Sequence, residues 1–414
     1  MNPMLTRRDL LRGTAALPFC LRDWAATPLQ RKGRRLILVW IDGGMTHLDT
    51  FDCKPEAGVN IRGDLASIRG AVEGTFVSAH LPKVAARLDR CALIRSLTHG
   101  EGNHDRGAHL LLTGKRPSPV VVHPSLPAML TPSEGALPAF VSVPDTPQYG
   151  GAGFLPASRG PFEVGGDPGR PDFAVQHLAP RTERARALDL LTTLDQLDGA
   201  PRSPLEADRD RFLAQARRMS QDPEVRAAFD LSAEPAAVRA QYGRHRLGQG
   251  CLLARRLVRA GVRSVLVRDT GWDHHVDIPR ALTYGFPPKL QALDDALSAL
   301  IDDLDQSGLG EETVVCLASE FGRTPRLNPS GGRDHWPRAQ SVLLFGGGIR
   351  RGIAFGTTDL KGEEPASDAV APADLFATLL AALGEDEGAI LRTTDGRPVR
   401  AVEEGAAPIR AVLA

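Results

Sequence analysis

The chain of 414 residues sets 50 Lys and Arg against 50 Asp and Glu, with 11 histidines, so its formal charge is zero. That balance, with no run of like charge, gives no electrostatic footprint for nucleic acid or an anionic membrane surface. An apolar content of 42 % allows a sizeable core, in one large α/β unit or in two or three average domains.

The N-terminal stretch "TRRDLLRGTAALPFCL" sets Arg7 and Arg8 ahead of Leu10, Leu11 and a weakly apolar run from Gly13 to Leu21, the order of a twin-arginine export signal. The run is too short to span a bilayer. Residues 1–30 are therefore expected to engage the twin-arginine export machinery and to be cleaved near Ala25. The remainder, 31–414, would be delivered folded to the periplasm or secreted, with no membrane span. Phe19 before Cys20 does not suit a lipid anchor. Cys53, Cys91, Cys251 and Cys316 would remain, without C-x-x-C spacing, and at most one disulfide is expected; Cys251 and Cys316 sit in apolar runs and read as core.

"RRLILVWIDGG" is a continuous apolar run that stops at Asp-Gly-Gly, as a strand buried on both faces would. From Pro117 to Gly169 the chain is rich in Pro, Gly and Ser and reads as a long surface excursion; Arg181 to Arg256 turns helical in composition, so that about 117–256 forms a loop-rich and helical insertion. "GVRSVLVRDTGWDHH" repeats the first plan, an apolar run ending among Asp269, Asp273, His274 and His275. A helix follows whose apolar face is Leu290, Leu293, Leu297, Leu300, Ile301 and Leu304, with Asp294, Asp295, Ser298, Asp302 and Asp303 turned mostly to water and Gly308 and Gly310 as its stop. "ETVVCLASEFGRTP" ends a third buried run at Glu320, and "SVLLFGGG" and the helix "PADLFATLLAALG" continue the alternation. Strand, helix, strand in this order predicts an α/β fold, a mostly parallel central sheet with helices on both faces.

In such sheets ligands sit beyond the carboxyl ends of the strands. The loops expected there hold Asp42, Asp273 with His275, Glu320, and Asp334 with His335; "EGNHDRGAH" adds Asn103, His104 and His109. Carboxylate oxygens and imidazole nitrogens gathered in glycine-rich turns suit a divalent ion, Zn, Mn or Ca according to the final count of oxygens and nitrogens. Structural alternatives stand beside each residue. Asp42 could simply close its strand through a turn, Asp273 with His275 could be a surface ion pair, and His335 could pack against Trp336. His104 and His109, five apart, do not share a helix face, and Arg323 either clamps an anion or pairs with Glu320. Asp49 and Asp52 in "LDTFD" either face the site or cap the next helix. H-E-x-x-H, G-x-S-x-G, the P-loop and G-x-G-x-x-G after a strand are all absent from the sequence.

The stretches "DGGMTHLDTFDCKP", "LIRSLTHGEGNHDRGAHLLLTGKRP", "GWDHH", "SEFGRTPRLN", "GGRDHWP" and "LFGGGIRRG" resemble the exported bacterial family called domain of unknown function 1501, grouped with the alkaline phosphatase and sulfatase superfamily. That resemblance implies an alkaline phosphatase/sulfatase-like fold. It puts Asp42 where the superfamily carries its first metal-binding Asp, Glu320 in place of the Asp of S-D-H-G, and Asp273, His275 and His335 as further ligands. "LLLTGK" is similar to the L-L-T-G-R that follows the sulfatase nucleophile, and counting back puts His104 in the nucleophile's place. No Cys or Ser stands there, Gly43 replaces the second Asp of the sulfatase pair, and Phe321 replaces the His or Asn beside the acid. Thr46 is then the best-placed hydroxyl, with Thr98 second. The implied function is a metal-dependent hydrolase of a small anionic phosphate or sulfate ester. His104 would be its acid or base, Arg323 its anion contact and Asp334 the support of His335, with His109, Asp49 and Asn103 nearby. The alternative is a non-catalytic exported protein that keeps the fold and a structural ion and serves a periplasmic protein partner.

Overall fold

The computed structural model describes residues 33–130, 135–175, 204–278 and 286–414, together with residues 178, 190 and 193. The expected export signal and most of 181–203 lie outside the described residues. Among the described residues eight strands form the central sheet: β1 (Arg35–Ile41), β2 (Cys91–Leu97), β3 (Phe140–Val143), β4 (Phe162–Glu163), β5 (Ser264–Asp269), β6 (Thr313–Ser319), β7 (Gln340–Gly346) and β8 (Ile353–Phe355). Their order is β8-β2-β7-β6-β1-β5-β3-β4. Strand β1 pairs in parallel with β5 and β6, β3 with β5 and β4, and β8 with β2. Only β7 runs against its neighbours, β2 and β6. The sheet is thus mostly parallel, with one reversed strand that the strand and helix alternation did not announce.

Both faces are covered, which is why the strand sequences read as unbroken apolar runs. Ile37, Val39 and Ile41 face a core shared with α3 (Arg246–Arg259) and α4 (Phe286–Ser307). Leu36, Leu38 and Trp40 face a second core shared with α1 (His104–Thr113) and α5 (Pro372–Leu383). The insertion adds α2 (Pro204–Gln221) to the first of these faces through Met219, and its early part supplies β3 and the edge strand β4 rather than surface loop alone.

Helix α4 buries its six expected apolar residues and stops at Gly308, which sits at φ 72°. Asp294 departs from the expected water-facing stripe: it is buried, and its carboxylate accepts from the backbone N–H of Val84 at 2.8 Å and Lys83 at 3.2 Å. Those donors open the short helix Pro82–Ala85 and have no partner within it, so the acid is drawn inward. All four cysteines among the described residues are free and buried. Among those residues, no helix is long and apolar enough to cross a membrane.

Candidate metal centre

The parallel strands β1, β5 and β6 end at one rim of the sheet, and β2, which runs the same way, delivers α1 to that rim. The loops that follow them are pressed together by glycines. A Cβ on Gly43 would stand 2.6 Å from the backbone nitrogen of Asp273, and one on Gly332 only 2.0 Å from the carbonyl of His275. Gly43 also lies at φ 123°. The missing side chain at Gly43 is therefore a packing requirement, since "DGG" must touch "GWDHH". Gly107 serves α1 in the same way, because a Cβ there would meet the Glu320 carbonyl at 3.2 Å.

Three imidazoles meet at Asp273, each held from behind. His104, the first residue of α1, places Nδ1 at 2.7 Å from Glu320 Oε1. Nδ1 of His275 lies 2.8 Å from Asp334 Oδ1, and Nδ1 of His335 lies 2.9 Å from the Gly102 carbonyl. Oxygen acceptors behind all three Nδ1 atoms favour the Nδ1–H tautomer, in which Nε2 is a lone pair, and at His275 that lone pair has an Arg323 Nη1 donor at 3.3 Å. These lone pairs point inward. Nε2 of His275 is 2.9 Å from Asp273 Oδ1 and 3.1 Å from His335 Nε2; His335 Nε2 is 3.3 Å from Asp273 Oδ1, and His104 Nε2 is 3.5 Å from Asp273 Oδ2. His104, Asp273 and His335 can each bring a ligand atom within 4.8 Å of the others.

The supports are themselves fixed. Glu320 is fully buried, accepts from the Gly43 backbone N–H at 2.8 Å and lies 3.0 Å from the Ser319 hydroxyl. Asn328 donates to Asp334 at 3.2 Å and to the His275 carbonyl at 2.9 Å. Arg323, 1 % exposed, donates to the carbonyls of Gly44, Arg333 and Gly43, to the Asp273 carboxylate and, at 3.3 Å, to His275 Nε2. Burial pushes the Asp273 carboxyl up, but the hydrogen bond and charge of Arg323 outweigh it and hold the group at about 2. His104 is raised by its hydrogen bond to Glu320 against the effect of burial, whereas burial lowers His335.

Three carboxylates, Asp273, Glu320 and Asp334, converge where Arg323 is the one guanidinium among the described residues that bonds to them, so acidic groups outnumber fixed cations at the site. Two lone-pair nitrogens 3.1 Å apart repel unless a proton or cation lies between them. The donor set, the oxygens behind each Nδ1 and the excess of acidic groups all fit one divalent ion, and three imidazoles with one carboxylate suit zinc better than an oxygen-seeking ion.

The other residues singled out in the sequence lie elsewhere or serve as supports. Asp42 sits at the rim but accepts from Arg268 Nε at 2.7 Å, and Arg268 donates onward to Asp145 at 2.8 Å. Burial raises the Asp42 carboxyl against the opposing Arg268 hydrogen bond, and the charges of Glu320 and His104 reach it. Thr46 is buried and donates to Asp49 at 2.9 Å; Asp49 in turn pairs with the fully buried Arg333 at 2.7 Å. Asn103 caps α1 by accepting from the Arg106 backbone N–H at 3.2 Å. His109 points away from His104, with Nδ1 2.9 Å from the Lys115 carbonyl and its ring against Tyr149. Arg268, Asp145, Asn328 and the Gly102 carbonyl were not singled out. The first had a signal, a lone Arg inside the buried run "VLVRD" that requires an acid.

Residues 33–413 match the family model described as "Protein of unknown function (DUF1501)". The chain belongs to that family. No curated protein matches it significantly. Solved structures similar to it include the C-terminal periplasmic domain of EcEptC from Escherichia coli in complex with Zn, with 10 % identity, TM-score 0.38, and 94 % of this chain and 96 % of that one covered. The phosphonate monoester hydrolase SpPMH from Silicibacter pomeroyi has 12 % identity, TM-score 0.37, and coverage of 91 % and 78 %. The PsFucS1 sulfatase from Pseudoalteromonas sp. has 16 % identity, TM-score 0.36, and coverage of 86 % and 68 %.

Proposed function

We propose that the protein is an exported metal-dependent hydrolase of a phosphate or sulfate ester, with zinc the ion that its donors suit best. The observation that carries this reading is the convergence of three Nε2 lone pairs on Asp273, each imaged by an oxygen behind Nδ1. A divalent ion held there would polarise the ester oxygens and bring the pKa of water toward ~7. The ester class is supported by the motif resemblance of "LLLTGK" and "SEFG", and export by the twin-arginine pattern.

The chain's own contribution is orientation and charge. Glu320, Asp334 and Gly102 hold the imidazoles in the tautomer that can bind, and Arg323 keeps Asp273 ionised. Thr46, the best-placed hydroxyl in the sequence, is engaged with Asp49; Ser319 is engaged too, at 2.6 Å from the Ile41 carbonyl, and Thr324 with the Arg326 carbonyl. The attacking oxygen is assigned to solvent water rather than to Thr46.

That same engagement of Thr46 favours a second reading, a non-catalytic partner protein that keeps the ion as a structural element. Release of 4-nitrophenol from its phosphate, bis-phosphate and sulfate esters, with zinc or manganese added or chelated, separates the two. Metal-dependent turnover of any one supports the hydrolase. Metal retained without turnover supports the second reading.

A further inference from the structure

A hydrolase of anionic esters needs a cation to hold the transferred group, and Arg323, the residue that the sequence offers, is spent. Its donors end on three carbonyls, Asp273 and His275 Nε2, and 1 % of it reaches solvent. We infer that Arg268 is the specificity-determining residue, taking a tetrahedral oxyanion, phosphoryl or sulfuryl, on the guanidinium edge that it now shares with Asp145. This rests on the hydrolase reading above.

Arg268 precedes the last residue of β5 and is in register with Trp40 of β1. Trp40 and Leu266 face the core shared with α1, so alternation along the strand brings Arg268 out on the α1 side of the sheet, the side that carries His104. Arg268 donates to Asp42 at 2.7 Å, and the next residue, Gly43, donates at 2.8 Å to Glu320, the acid that backs His104, so hydrogen bonds link Arg268 to the site.

The two edges of the guanidinium are held differently. Nε and Nη2 both donate to Asp42, a half-buried acid that pins the side chain from behind. Among the described residues Nη1 donates to Asp145, whose side chain is 48 % exposed, and whose other oxygen lies 3.9 Å from Arg246 at the first position of α3. Asp145 can thus exchange Arg268 for Arg246 without losing a cationic partner. An exposed pair of this kind is weak, so a tetrahedral anion with two oxygens for the Nη1 and Nη2 donors can displace it. Asp145 acts as a resident competitor for the anion.

The full-length chain, zinc-loaded and metal-free, is titrated separately with inorganic phosphate and with sulfate at low ionic strength by calorimetry. Arg268→Met should weaken anion binding to the zinc-loaded protein by about tenfold or more. Asp145→Asn, which removes the competitor and keeps the shape, should strengthen it by about threefold. Arg268→Lys should recover part of the loss, which a disrupted fold would not allow. Tighter phosphate than sulfate assigns the phosphoryl group, the reverse assigns the sulfuryl group, and equal binding assigns the shared anion. The inference is overturned if Arg268→Met, with wild-type zinc content and unfolding midpoint, binds both anions as wild type does. It is overturned equally if Asp145→Asn weakens binding, or if wild type binds neither anion. Failure of the metal reading appears separately, as a wild-type chain that takes up no zinc.

Discussion

Replacing Glu320 with Gln tests whether the buried acid behind His104 tunes the metal centre. The substitution keeps the volume of a fully buried side chain and an oxygen to accept from the Gly43 N–H, but it removes the charge that fixes the His104 Nδ1 proton at 2.7 Å. Loss of such a carboxylate behind a metal-binding imidazole typically weakens metal affinity 10–100-fold, about 1.4–2.7 kcal/mol. The upper end applies here, because the Glu320 carboxylate is fully buried and its hydrogen bond is the largest cause that raises His104. The assay is zinc affinity by chelator competition, paired with a urea denaturation of the metal-free protein to show that the fold is kept. An unchanged zinc affinity in a folded Glu320→Gln protein would refute the assignment of His104 Nε2 as a ligand.

Three further outcomes follow from the same geometry. Gly332→Ala should lower both stability and zinc affinity, because its Cβ meets the His275 carbonyl at 2.0 Å and must drive the two histidine loops apart; chelator competition and thermal unfolding read the two effects. Arg333→Met should destabilise by about 3–5 kcal/mol in urea, since it strands Asp49 and the carbonyls of Ile61 and Thr324 in the core. Asp49→Asn should cost less, because the amide still offers an acceptor to Thr46. Burial holds His99 and His123 down at about 4, against an unfolded value near 6.5, so both fold as neutral rings. The unfolded chain then binds more protons between pH 6.5 and 4, and stability is lost as pH falls through that window, by about 1–3 kcal/mol per ring. Urea midpoints of the metal-free protein at pH 7, 6, 5 and 4 should show the loss, and His123→Asn should flatten it.

The apolar runs at 35–41, 264–269 and 313–319 were legible as strands because both of their faces are covered, and α4 was legible down to its stop at Gly308. Direction was less so. β7 reads like its neighbours in composition, and antiparallel pairing leaves no mark in a strand buried on both faces. At the site, Asp273, His275, His335, Glu320 and His104 meet, as carboxylates and imidazoles at strand ends suggest. What spacing does not carry is which oxygen stands behind which nitrogen: Glu320 backs His104, and Asp334 backs His275 while His335 leans on a carbonyl. Asp42 shows the same limit, since its partner Arg268 lies 226 residues away on a neighbouring strand.

Zinc stoichiometry is the most direct measure of the central claim. Equilibrium dialysis of the wild-type chain against zinc should give one tightly held ion per chain, and the His104→Ala/His335→Ala double variant, with its fold intact, should hold none at the same free zinc. A folded wild-type protein that retains no zinc or manganese, or a double variant that retains as much as wild type, would contradict it.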